Sequence, residues 1–202
     1  MQRFITSLVL LNILFISPIL SLSDHATHIL AHLSGISSAL EAGQDAGNGY
    51  YGGLLAAIPS GQRTMDVWAA LRQANEEIQS NPLSEEDSTA VVESLASTHT
   101  LSIAVMEMMV EKEPHFRAAK VHFLVPIALD AFYKEVDDLL TTLAKQVSPG
   151  HRHTVQRVGA EFTQAWEKVF AASMANTDGT AGSWINYLPF FDTVQPILGR
   201  LL

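Results

Sequence analysis

The chain has 202 residues, with 12 lysines and arginines against 21 aspartates and glutamates, a formal net charge of −9. An acidic exterior argues against a nucleic-acid partner, because phosphate binding needs a basic face, and it suits anionic lipid headgroups poorly. There is no cysteine, which excludes disulfides, a thiol nucleophile and thiolate metal sites together.

Residues 1–23, MQRFITSLVLLNILFISPILSLS, read as a secretory signal peptide. Arg3 supplies the positive start, Leu8 to Ile16 an apolar core broken by Asn12, and Pro18 the stop. Ser21 and Ser23 have the small-residue spacing that signal peptidase reads, so cleavage is expected after Ser23. The apolar run is shorter than the ~20 residues of a spanning helix, and no basic cluster follows it. The expected product is secreted, extracellular or bound in a cell wall, and is not an integral membrane protein. Without disulfides its stability must come from helix packing. No N-x-Ser/Thr sequon is present, since Asn81 precedes proline and Asn176-Thr177 is followed by Asp178.

Five helices are expected. The first runs from Asp24, its cap, to about Ala42, with Ile29, Leu33, Ile36 and Leu40 on one stripe and Gly43 as the stop. GQDAGNGYYGG, 43–53, is too glycine-rich for helix and reads as a loop with two exposed or half-buried tyrosines. Leu54 to Ile58 form a short helical turn that Pro59-Ser60-Gly61 ends. The second helix spans about Gln62–Gln79, with Met65, Trp68, Leu71 and Ile78 on one side. Asn81-Pro82 closes it, since a residue before proline avoids helical geometry.

The third helix starts at Ser84-Glu85-Glu86-Asp87, where a serine cap and three acids suit the positive end of the dipole. Val92, Leu95, His99, Ile103, Met106 and Val110 form its stripe. From 101 to 110 only Ser102 and Glu107 are polar, so this stretch is buried on more than one side. Pro114 should end it. The fourth helix reaches about Val147, with Pro126 read as a kink rather than a first-turn residue. Asp130, Lys134, Asp137, Asp138, Thr141 and Lys145 form its polar face; Phe132, Val136, Leu139, Leu140 and Leu143 form the other. Ser148-Pro149 opens the fifth, with the serine as cap. Val155, Val158, Phe162, Ala165, Val169 and Phe170 line one face, and Arg157 pairs with Glu161 outside. The organisation is therefore a signal peptide (1–23), an all-α, up-and-down bundle of about five amphipathic helices (24–175) and an apolar C-terminal tail (176–202).

Chemistry is sparse. His28 and His32 stand four apart on one helix face, with His25 a turn before. That spacing can hold zinc, but the glutamate of the metalloprotease pattern is missing and the sequence offers no third ligand. The pair reads as an ordinary half-exposed flank, and no metal or cofactor is assigned. His151 and His153 read as solvated residues at a helix start. No serine sits in a G-x-S-x-G turn, and Glu85-Glu86 and Asp137-Asp138 read as capping and solubility. No catalytic residue is assigned, and the chain is read as a non-enzyme.

The segment MEMMVEKEPHF, 106–116, puts three methionines into four positions. As core it needs no explanation. As an adaptable wall it exploits the unbranched thioether, which tolerates variable apolar shapes. Phe116, Phe123 and Phe132 add volume nearby. A gap lined by such residues is dry and suits an acyl chain. The candidate lipid-binding residues are Ile103, Met106, Met109, Val110, Phe116, Phe123, Phe132, Val136 and Phe162, with the void expected between the third, fourth and fifth helices.

The ordered segments YYGGLLAAI, LRQANEEIQSNPLSEEDSTAVVESL, MVEKEPHF, LDAFYKEVDDLLTTLAKQVSP and FTQAWEKVFAA resemble the fungal hydrophobic surface-binding protein A family, with its cell-wall mannoprotein relatives, over roughly residues 26–173. The matched features are Tyr51-Gly52-Gly53, Asp87-Ser88, Lys112 with Phe116, and a leucine-spaced amphipathic helix. The resemblance implies a helical secreted or wall-associated protein without catalysis. Such a protein adsorbs to hydrophobic surfaces, recruits secreted hydrolases there, and in some branches holds a fatty acid between helices. It supplies no catalytic residue to carry over. The competing reading is a secreted or cell-wall helical effector whose partner is another protein.

Overall fold

The computed structural model describes residues 22–78, 81–120 and 124–175. The expected signal sequence up to Ser21, Phe123 and the expected apolar tail lie outside the described residues. Five helices account for nearly all of the rest: α1 Asp24–Asn48, α2 Leu54–Glu77, α3 Glu85–Ala118, α4 Leu124–Gln146 and α5 Pro149–Ala175.

The substantial contacts close a ring. α1 packs on α2 and α3, α3 on α5, α5 on α4, and α4 on α2. Particular contacts fix the directions. Ser23 N–H bonds Asp87 at 3.0 Å and Ser37 meets Thr98 at 2.9 Å, so α1 and α3 run in parallel. Thr89 meets His151 and His99 meets Glu161, so α5 runs with α3. Trp166 Nε1 donates to the Leu129 carbonyl and Tyr133 meets Thr163, so α4 opposes α5. Ser60 reaches Ala46 while Glu77 reaches His28, so α2 opposes α1. Successive helices alternate in direction, as an up-and-down bundle requires. The ring order, however, is α1-α3-α5-α4-α2, so the chain crosses the bundle ends between α2 and α3 and between α3 and α4.

The sequence stripes face the ring's centre. Ile29, Leu33, Ile36 and Leu40 are at most 1% exposed, and Leu71, Val91, Leu129, Leu143, Val155 and Phe162 are buried with them. α3 is flanked by both α1 and α5, which accounts for its broad apolar circumference. The polar face of α4 is exposed at Asp130, Lys134, Asp137, Asp138, Thr141 and Lys145. Arg157 donates to Glu161 at 2.7 Å across one turn.

Several expected boundaries are wrong, for physical reasons. α1 does not stop at Gly43. It continues to Asn48, because Gly43 and Gly47 allow α1 to press against its neighbours: a methyl on Gly47 would overlap the Sδ and Cε of Met108. The true loop is 49–53, and Gly52 and Gly53 have φ of 110° and 92°, a region that side chains rarely enter. Tyr50 is buried, at 1% exposure, not half-exposed; Tyr51 is 76% exposed.

Neither Pro59 nor Pro114 ends a helix; both lie inside one. Each removes one backbone donor. The carbonyls left without it belong to Leu55 and Val110, both at exposed positions, where water can take the lone pair. Pro126 sits in the first turn of α4 as described, where its missing N–H costs little. The cap of α1 is Ser23 rather than Asp24, with Oγ accepting from Ala26 N at 3.1 Å. Ser84 caps α3 as expected. Ser148 precedes α5 but its Oγ has no hydrogen-bond partner, and its N–H donates to Ser88 Oγ at 2.9 Å. His151 is not simply solvated: it lies 3.2 Å from Glu85 and from Thr89.

Candidate functional site

At one end of the bundle α1 and α3 finish while α2 and α4 begin, and four helices there surround an apolar cavity of about 80 Å³. Leu40, Gly43 and Gly47 line it from α1, and Met65, Val67 and Trp68 from α2. α3 contributes Val105, Met106, Met108, Met109 and Phe116, and α4 contributes Ala128, Leu129, Ala131 and Phe132. Ser60 and Thr64 are the polar exceptions, and Thr64 is exposed, which brings the wall to the surface along α2.

Two hollows lie on the other side of α3. An open groove of about 630 Å³ between α3 and α5 is lined by Ile103, Met106, Val110, Ala165 and Val169 at its floor. His99, Glu107, Glu111, Glu161, Gln164 and Lys168 stand along it. A smaller hollow of about 120 Å³ is bounded by Met109, Val110, Glu113, Pro114, Val125, Val169 and Ala172. Met106 borders both the cavity and the groove, and Met109 borders both the cavity and the smaller hollow. These two thioether side chains are thus the partition between interior and exterior space. Met106 is 1% exposed and Met109 is half-buried.

The candidate residues separate into groups. Met106, Met109, Phe116 and Phe132 meet at the cavity. Ile103 and Val110 line the groove. Val136 and Phe162 lie deeper, at a crevice of about 30 Å³ among Leu33, Leu95 and Leu139. Phe123 lies outside the described residues. The cavity is enclosed by α1 to α4, not by the third, fourth and fifth helices; α5 lines the groove, the smaller hollow and the deep crevice but not the cavity. Met108, Leu129 and the α1 and α2 contributions were not among the candidates. A glycine pair one helical turn apart, Gly43 and Gly47, was the available signal for α1, and it is hidden by their apparent membership of a loop.

The cavity end is braced by polar contacts outside the wall. Lys112 is buried, donates Nζ to the Asn48 carbonyl at 3.0 Å at the α1 C-terminus, and stands 4.5 Å from the Tyr51 ring centre. Tyr50 stacks on Phe116 with centroids 5.1 Å apart, and burial raises the pKa of its hydroxyl. Phe132 continues through Phe162, Tyr133, Trp166 and Phe170 as a run of contacting rings. The wall hydroxyls are already committed as donors: Ser60 Oγ to the Ala46 carbonyl and Thr64 Oγ1 to the Ser60 carbonyl. What remains of them accepts hydrogen bonds and offers nothing to a carboxylate. Tyr51, Leu55, Ile58 and Val110 are exposed large apolar side chains, all at this end of the bundle.

The profile of the family described as hydrophobic surface binding protein A matches residues 26–145. No curated protein sequence matches the chain. Solved structures share the fold. AFMP4P in complex with palmitic acid superposes with a TM-score of 0.70 at 23% identity, over 73% of this chain and 99% of that one. Ligand binding domain 1 of Penicillium marneffei MP1 protein, complexed with arachidonic acids, gives 0.65 at 17% identity, over 71% and 94%. Domain 2 of the same protein, complexed with multiple arachidonic acids, gives 0.68 at 15%, over 76% and 97%.

Proposed function

The chain belongs to the hydrophobic surface binding protein A family, and from that membership we propose that it is a secreted, non-enzymatic protein that holds a fatty-acid chain between its helices and meets oily surfaces through the same end. The carrying observation is the position of Met106 and Met109 between the interior cavity and the outer hollows. Apolar cavities of roughly 150 Å³ take a benzene-sized guest, so the 80 Å³ present holds only a segment of a long chain. Rotation of flexible thioethers joins the cavity to the hollows and lengthens the channel. The palmitic-acid and arachidonic-acid complexes of the similar structures support this reading.

The wall explains the selectivity that follows. Contact with the chain contributes roughly 25 cal/mol per Å² of apolar area before the costs of association. Neither wall hydroxyl has a proton left for the carboxylate, which would stay at the mouth in water. Chain length therefore matters more than headgroup. Pro59 and Pro114 each remove a backbone hydrogen bond from a helix at this end, lowering the cost of the local opening that uptake needs. The exposed Tyr51, Leu55 and Ile58 supply the apolar face for a waxy surface, and recruitment of secreted hydrolases would follow from adsorption there.

Native mass spectrometry of the secreted protein, followed by titration of the delipidated form with palmitate, tests the proposal. Lipid-bound mass and saturable binding are expected. Met109→Glu, at a half-buried position, should weaken binding at least ~10-fold by setting a charge against the chain. A folded protein that carries no lipid and binds none sinks the reading. A stoichiometric protein partner in its place would favour the effector alternative.

A further inference from the structure

At the opposite end of the bundle, away from the cavity, the helical pair His28 and His32 meets a third side chain that the sequence did not reveal. Glu77, the last residue of α2, brings Oε2 to 3.3 Å from His32 Nε2 and 3.6 Å from His28 Nε2. The two imidazole nitrogens are themselves 3.3 Å apart, on rings inclined at 84°. Three potential ligand atoms thus form a nearly equilateral triangle. Bonds of ~2.0–2.1 Å to a tetrahedral zinc ion place neighbouring ligand atoms ~3.3–3.4 Å apart, which is the triangle observed. As charge-assisted hydrogen bonds the same contacts are long, since those settle at ~2.7–2.9 Å.

We propose that His28, His32 and Glu77 form a site for a divalent transition-metal ion of the zinc class, clamping α1 to α2. The donor set, two imidazole nitrogens and one carboxylate oxygen, selects zinc, copper, nickel or cobalt over calcium and magnesium. The surroundings fit this role. Gln73 Nε2 donates to Glu77 Oε1 at 2.9 Å, which orients the carboxylate and leaves Oε2 for the ion, as an outer-shell partner does. The His32 side chain is 11% exposed and fixed, while His28 and Glu77 are 49% and 45% exposed, leaving a path in from solvent. Burial and the neighbouring His28 hold His32 below the usual histidine pKa, favouring the neutral ring that binds metal. The negative end of the α2 dipole adds to the attraction. His25 takes no part, because its Nε2 lies 3.2 Å from Gln146 Oε1.

Tag-free secreted protein, stripped with chelator, is titrated with zinc by calorimetry and with cobalt by absorption spectroscopy. One equivalent of zinc and the intense visible bands of tetrahedral cobalt are expected, with a melting temperature raised by zinc and returned by chelator. His32→Ala should weaken zinc binding by more than ~100-fold, beyond the ~10–100-fold of an outer-shell loss. Palmitate affinity should not change, since the two sites occupy opposite ends. Should His32→Ala fold poorly, Glu77→Gln, half exposed, gives the same reading. No saturable zinc binding, or equal affinity in His28→Ala/His32→Ala, overturns the assignment.

Discussion

Gly47 of α1 lies directly against the thioether of Met108 on α3: a methyl group at position 47 would occupy the space of the Met108 Sδ and Cε atoms. Both residues line the cavity, so the contact ties the helix spacing to the room available inside.

Gly47→Ala should therefore act on binding rather than on stability. Alanine favours helix over glycine by ~1 kcal/mol, and the displaced group is the flexible end of Met108, so the melting temperature should hold or rise slightly. The moved thioether narrows the cavity, and palmitate affinity should fall several-fold. Unchanged affinity in calorimetric titration would place the bound chain elsewhere.

Lys112 holds the α1 C-terminus and the 49–53 loop together. Lys112→Met keeps the apolar stem but removes the charged bond to the Asn48 carbonyl, and should cost ~1.5–3 kcal/mol. Chemical denaturation measures this. Hydrogen exchange should quicken first at Tyr50 and Tyr51.

Pro114→Ala restores an amide donor toward the Val110 carbonyl. An interior proline costs a helix ~3 kcal/mol, offset in part by the unfolded-state freedom it removes. The variant should melt higher and take up palmitate more slowly, because the cavity end opens less readily. Stopped-flow association that is as fast as wild type would remove helix opening from the uptake step.

The bundle should weaken on mild acidification. Burial lowers the His99 pKa, although Glu161 at 3.4 Å raises it in part. His32 is lowered in the same direction. With folded values below the unfolded ~6.5, the unfolded chain binds more protons as pH drops. The stabilising share is complete above ~6.5 and is lost as pH falls through the folded values. Melting temperature should decline between about pH 7 and 5, less so in His99→Gln. A flat profile for both proteins would contradict this.

Asp87 is buried beside Ser23 and Ser84. Desolvation raises its pKa, but the hydrogen bonds from Ser23 and Ser84 outweigh it and the net shift is downward. Its contribution is present at neutral pH and lost as pH falls below about 4. A chain beginning at Asp24 lacks both the Ser23 cap and this bond. It should be ~1 kcal/mol less stable than one beginning at Leu22, which a denaturant melt of the two forms checks.

Much of the bundle was legible because a helix in water must hide one stripe. Ile29, Leu33, Ile36 and Leu40 announce α1, and the Ser84-Glu85-Glu86-Asp87 start announces α3, through local rules that need no partner. The misplaced ends share a cause. Gly43, Pro59 and Pro114 are helix breakers in isolation, and packing or hydration at their positions overrides a cost of one to a few hydrogen bonds. The candidate cavity was half legible. Met106, Met109, Phe116 and Phe132 offer soft apolar volume and meet at one cavity, whereas Val136 and Phe162, of the same chemistry, pack deeper in the bundle. Periodicity reports that a side chain is turned inward but not how closely the opposite wall approaches.

What the amino-acid order settled alone is the helical class and the inward stripes, since these depend on neighbours within a turn or two. The ring order, the thioether partition and the meeting of Glu77 with His28 and His32 depend on which helices lie side by side. That choice is made by steric fit between surfaces far apart in the chain, such as Gly47 under Met108, and only the folded molecule reveals it.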